Sequence, residues 1–192
     1  MLRAGFATII LIACTTVAHA DGAITRIITK PDQAKLDKYE ETRRTAIDAA
    51  RKGGSTDDLK QLDVILAKPH LAFGEDFDMT GDWKCRTTKL GKEPALVLYG
   101  WFKCRVTDDG SGWILEKTSG SQRTKGHFYT EGDNRLTYLG VGYTLGNKPR
   151  NYSAGPDVDQ VGYAYRTEKN EFRIEFPSPA RESLMDILEL KR

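Results

Sequence analysis

The chain has 192 residues, with 29 Lys and Arg against 27 Asp and Glu and a formal charge of +2. A length of this order suits a leader and one domain, and a charge so near balance excludes the broad basic field that nucleic acid or an anionic membrane surface would need. Only the N-terminal stretch is apolar enough to suggest a membrane segment, so no integral span is expected.

At the N-terminus, Arg3 precedes an apolar run from Phe6 to Ala13, and Ala18-His19-Ala20 forms a small-x-small site before Asp21. The run is shorter than the ~20 residues of a membrane span and apolar all round, unlike a core helix. It predicts a secretory signal peptide over residues 1–20, cleaved after Ala20. Leu11-Ile12-Ala13-Cys14 offers an alternative, a lipobox whose Cys14 would carry a lipid anchor. Either route puts the mature chain outside the cytoplasm, in the periplasm or secreted. Cleavage leaves 28 basic and 27 acidic residues and two cysteines, Cys85 and Cys104. In an oxidising compartment such a pair reads as a disulfide.

Residues 21–72 have the composition of a helical segment, and residues 73–192 that of a β domain. Sixteen of the seventeen aromatic residues beyond the leader lie from Phe73 onward, the exception being Tyr39. The first helix is expected over about 31–51, capped by Thr29, with Pro31 in its first turn and Gly53-Gly54 at its end. Leu36, Tyr39, Ala46, Ile47 and Ala50 form its apolar stripe. A second helix is expected over about 56–67, opened by Ser55 with Asp58 and stopped by Pro69. Both stripes need an apolar surface to dock on.

From Thr80 the chain reads as strands at 80–88, 96–106, 112–118, 124–130, 135–143, 159–167, 171–176 and 185–191. Asp108-Asp109-Gly110, Glu131-Gly132-Asp133-Asn134 and Glu168-Lys169-Asn170 supply hairpin turns. Eight short strands predict a mainly β protein, an antiparallel up-and-down barrel or a sandwich, preceded by two short α-helices. Gly146 to Pro156 is a longer loop.

Strand alternation puts Trp83 and Cys85 on one face, and Leu98, Phe102 and Cys104 on one face of the next strand. A hairpin centred near Pro94 would set Cys85 directly opposite Cys104, within disulfide reach. Val97, Tyr99 and Trp101 would line the other face. Either the N-terminal helices cover that patch, or Tyr99 and Trp101 form a partner surface.

Thr80-Gly81-Asp82-Trp83 resembles the Gly-x-Trp opening of calycins, the lipocalins and avidins. That resemblance implies an up-and-down barrel closed at one end by the tryptophan, with a basic residue from the last strand over its ring; Arg192 and Lys191 are the candidates. The fuller pattern is Gly81-Asp82-Trp83-Lys84-Cys85-Arg86, Tyr99-Gly100-Trp101-Phe102-Lys103-Cys104-Arg105, Gly120-Ser121-Gln122-Arg123-Thr124, Asp159-Gln160-Val161-Gly162-Tyr163 and Asp186-Ile187-Leu188-Glu189-Leu190. Together these resemble domain of unknown function 4893, a group of small exported bacterial proteins. That resemblance implies no activity and carries over no functional residue.

No catalytic or cofactor motif stands out. His70 and His127 have no metal-ligand spacing around them, and no Gly-x-Ser-x-Gly elbow occurs. An enzyme would need a cleft joining His127, Arg123 and an acid. The expectation is therefore a monomeric, non-enzymatic envelope protein without cofactor or metal, binding a small ligand or another envelope protein. Phe102, Tyr138 and Phe172, with Ile174, are expected to point into the barrel, and Arg123 to lie near its mouth. The alternative function is an inhibitor of an extracytoplasmic protease or lysozyme, which would project either the segment before Phe73 or the loop 146–156.

Overall fold

The computed structural model describes residues 24–74 and 77–192. The expected signal peptide over residues 1–20, its expected cleavage site and Cys14 lie outside the described residues. The helices are α1 (Ile24–Ile27), α2 (Lys30–Asp37), α3 (Tyr39–Gly53) and α4 (Thr56–Ala67). The strands are β1 (Gly81–Leu90), β2 (Leu96–Leu98), β3 (Phe102–Asp108), β4 (Trp113–Lys117), β5 (Gln122–Gly132), β6 (Arg135–Thr144), β7 (Asp159–Glu168), β8 (Glu171–Pro177) and β9 (Met185–Lys191). Among the described residues no helix is long and apolar enough to cross a membrane.

From β3 to β9 each strand pairs antiparallel with the next, and β1 pairs with β3 on one side and β9 on the other. The β1–β9 ladder runs from Lys84↔Lys191 to Leu90↔Met185 and closes an eight-strand barrel rather than a sandwich, with β2 as an extra short strand.

One expected strand is interrupted. In place of a single strand over 96–106, β2 and β3 lie along the same edge of β1 with a one-residue slip between Thr88↔Leu98 and Cys85↔Phe102. Tyr99-Gly100-Trp101 takes up the extra residue, as a bulge does. The β1–β3 register also lies two residues from the expected one, so the cysteines are not directly opposed: Cys85 pairs with Phe102, and Cys104 with Trp83. Both side chains still point inward as diagonal neighbours, and the disulfide forms across a Cα–Cα distance of 5.8 Å.

Trp83 closes one end of the barrel. Its indole Nε1 donates to the Met79 carbonyl at 2.8 Å, and the Arg192 guanidinium sits 4.4 Å over the ring. Arg192 also donates to the carbonyls of Thr80 and Asp78, at 2.6 and 2.8 Å. Gly81 adopts a φ of +119°, and a Cβ there would meet Arg192 at 3.3 Å. The positive φ is what calls for glycine here, while a Cβ would crowd the end of the arginine that covers the tryptophan. Lys191, the other candidate, lies instead over Trp101, at 4.3 Å.

The helices pack on the outside of the barrel. Their stripe residues Leu36, Tyr39, Ala46, Ile47, Ala50, Leu62 and Ile65 form a second core with outward-facing Leu90, Leu139, Val161, Tyr163, Tyr165, Met185 and Ile187. Four helices occur where two were expected. The addition is α1, and the expected 31–51 helix breaks at Lys38 (φ −103°, ψ 11°). The break lets α2 lie on β7 while α3 crosses β8, β9 and β1. A straight helix would leave the curved surface.

A buried ionic cluster fastens this layer. Glu175 on β8 accepts from Tyr39 Oη (2.6 Å), Arg43 Nε (2.8 Å) and Arg173 Nε (2.7 Å). Arg173 also donates to the Ile65 carbonyl at 2.6 Å and to His70 Nε2 at 2.9 Å. Burial, then the Arg173 charge, lowers the His70 pKa, which suits an imidazole that accepts from a guanidinium.

Candidate functional site

Side chains that share a strand face decide what fills the barrel. From the Trp83 end the interior is apolar: Val106, Leu115, Phe128, Leu136, Phe172 and Ile174 pack there with the disulfide. Tyr138 caps this fill. Gly126 and Gly140 face each other across β5 and β6, and a Cβ on either would lie within 2.7 Å of the Tyr138 ring carbon Cζ. The two glycines let the phenol lie flat on the barrel wall.

Beyond Tyr138 the interior turns polar. The Tyr138 hydroxyl shares a 2.7 Å hydrogen bond with Thr124 Oγ1, which lies 2.6 Å from Gln160 Oε1. Above this floor is a chamber of about 120 Å³, lined by Thr87, Lys89, Tyr99, Phe102, Lys117, Thr124, Gln160, Phe176, Asp186 and Leu188, with Arg123 at its edge. It shares Lys89, Gln122, Arg123, Gln160 and Asp186 with a wider vestibule of about 500 Å³. The loop 146–156 and the segment Pro179 to Glu182 wall the vestibule.

The chamber's charges are unequal. Lys89 Nζ lies 3.5 Å from Asp186 and 3.1 Å from Glu182 at the rim. Burial alone would lower the Lys89 pKa, but the two carboxylates raise it above the usual lysine value. Asp186 is raised, chiefly by burial, against the opposing pull of Lys89. Lys117 is only 7% exposed and takes part in no ion pair among the described residues. Its ammonium sits 4.5 Å over the Phe102 ring. Burial first, then the like charges of Lys89 and Arg123, pushes its pKa down, with Asp186 opposing.

The residues singled out from sequence fall at different places. Phe102 lines the chamber and Arg123 lies at its edge, where Arg123 Nε donates to the Gly120 carbonyl at 3.1 Å. Tyr138 does not line the chamber but lies beneath it, bonded to the lining Thr124, and Phe172 packs in the apolar interior, edge-on to Trp83 at 4.9 Å. Tyr99 and Trp101 do not share a face: Tyr99 lines the chamber, while Trp101 lies outside with Arg86 and Lys191 over its ring. The helices cover neither; they stay 40% and 37% exposed. His127 belongs to neither lining. Among the described residues no group of three or more His, Cys, Asp or Glu is placed to hold a metal ion.

Sequence reasoning missed Lys89, Lys117, Thr124, Gln160 and Asp186. The signal was phase: Lys117 lies two residues from inward Leu115, Lys89 four and six from inward Cys85 and Trp83, and Asp186 two and four from inward Leu188 and Leu190, so each shares the inward face.

The two segments named for an inhibitory projection are tied back. Leu71 bridges to Arg166, and the Phe73 N–H donates to the Asp133 carbonyl at 2.7 Å. In the loop, Tyr152 Oη donates to Asp32 at 2.8 Å, and the Ala154 and Gly155 N–H groups donate to Asp159.

A family model described as Domain of unknown function (DUF4893) matches residues 25–190. No curated protein and no solved structure matches the chain.

Proposed function

The chain belongs to the DUF4893 family, and from that premise we propose that it is an exported, non-enzymatic cell-envelope protein that binds a small molecule in the mouth of its barrel. The observation that carries this reading is the chamber. The barrel is packed from Trp83 to Tyr138 and then opens, through a chamber of about 120 Å³, into a vestibule of about 500 Å³. Small-molecule sites commonly span about 300–1,000 Å³ and combine apolar walls with a few placed polar groups. Phe102, Phe176 and Leu188 supply such walls here, and Thr124, Gln160 and Lys117 the polar groups. Export is supported by the leader-like N-terminus and by the Cys85–Cys104 bond, since such bonds persist in oxidising compartments.

The inhibitor alternative has less support, because both segments that would have to project are hydrogen-bonded back onto the domain.

Thr87→Trp tests the reading, because its added ring would occupy the chamber. In a ligand-observed NMR screen of a fragment library, hits on the wild-type protein should lose their signal on folded Thr87→Trp. An unchanged hit list would place binding elsewhere and remove the chamber from the account.

A further inference from the structure

The chamber holds two buried lysines, Lys89 and Lys117, and one partly buried carboxylate, Asp186. Lys89 takes that carboxylate and the rim carboxylate of Glu182. Asp186 is further engaged by the Ser183 hydroxyl. Lys117 is left with the Phe102 ring as its cationic contact, beside Lys89 and Arg123. A buried ammonium without a carboxylate is costly unless something of opposite charge meets it. Lys117 is more than nine-tenths buried, and it lines the chamber.

We propose that the chamber takes a small organic anion, its charged head paired with Lys117 and its apolar body against Phe102, Phe176 and Leu188. This rests on the small-molecule reading above and specifies the ligand's chemistry. Several features agree with it. Charge-assisted hydrogen bonds from an ammonium to a carboxylate are among the stronger polar contacts, and a low-dielectric chamber strengthens them further. Thr124 and Gln160 stand on the same floor to orient the head. About 120 Å³ is small for a whole drug-sized ligand, so the chamber suits a head group or one ring, with any longer body reaching the vestibule. The vestibule sets Arg123, Lys148, Arg150 and Arg181 against Asp157, Asp159 and Glu182, so its charge is close to balanced and the preference for an anion rests on Lys117. The ligand's charge would also reverse the downward push on the Lys117 pKa.

The probes are benzoate and benzamide, which share ring and shape and differ in charge, with hexanoate and hexanamide as an aliphatic pair. Isothermal titration on the full mature chain should give at least about tenfold tighter binding of each carboxylate than of its amide. That preference should vanish in Lys117→Met and survive in part in Lys117→Arg, with melting curves confirming that both fold. If Lys117→Met does not fold, the wild-type carboxylate–amide comparison decides alone. Equal affinity for acid and amide would overturn the anion assignment and leave a small-molecule site standing. Failure of both carboxylates to bind at millimolar concentration would also overturn it. The small-molecule reading is judged separately, by the Thr87→Trp comparison.

Discussion

At the scale of single residues, the floor of the chamber depends on two hydrogens. Gly126 and Gly140 have none but hydrogen where Tyr138 lies, and a Cβ on Gly140 would meet Tyr138 Oη at 2.4 Å and the Lys125 carbonyl at 2.5 Å. The carbonyl belongs to the sheet and cannot swing away. Gly140→Ala should therefore cost about 1–3 kcal/mol, the usual range for overpacking, and should break the Tyr138–Thr124 contact. Gly132→Ala, with nothing within 4 Å of its Cβ, is the control and should stay within about 0.5 kcal/mol. Urea unfolding of both variants checks the contrast. This floor was only half legible in the sequence. Tyr138 was expected to point inward, but nothing in a one-dimensional pattern pairs Gly126 with Gly140. Inward lysines and acids were overlooked for a related reason: a charge on a strand reads as solvent-facing unless its phase is checked against apolar neighbours.

At the scale of elements, the helical layer is held to the barrel by charge as well as by apolar packing. Glu175 is fully buried and serves Tyr39, Arg43 and Arg173 at once. Burial would raise its pKa, but Arg173, Arg43 and Tyr39 outweigh that and hold it below the ordinary glutamate value. A carboxylate that ionises more readily folded than unfolded stabilises above its unfolded pKa of about 4.3, and that contribution is lost as pH falls through the lower folded value. Glu175→Gln leaves Arg173 without its buried partner and should cost about 3–5 kcal/mol at neutral pH. It should also flatten the acid side of the stability profile below about pH 4. Melting temperatures of both proteins across that range would show it; a mutant parallel to wild type at every pH would contradict the role given to Glu175. Helix stripes, caps and most strand limits were legible because each depends on local sequence. The break at Lys38 and the slip at Tyr99-Gly100-Trp101 were not. One answers to the curvature of a barrel surface the helix has not yet met, and the other to a register set by β1.

At the scale of the whole molecule, the sequence pattern led to an antiparallel barrel because eight alternating segments separated by turn residues have few other ways to bury their apolar faces. The family resemblance and the disulfide were readable for equally direct reasons, a set of motifs and an even cysteine count. Closure by β1 and β9, and the choice of which end to plug, come from contacts between the two ends of the β region. Trp83 and Arg192 seal one end, and the packing of the other stops at Tyr138. This unsealed end is the binding site proposed above. Amide chemical-shift mapping of the mature protein on addition of benzoate tests it most directly. The largest shifts should fall on Thr87, Phe102, Lys117, Thr124, Gln160 and Asp186, and the helical face around Arg43 and His70 should stay still. Shifts centred on that face or on Trp101, or no shifts at all, would contradict it.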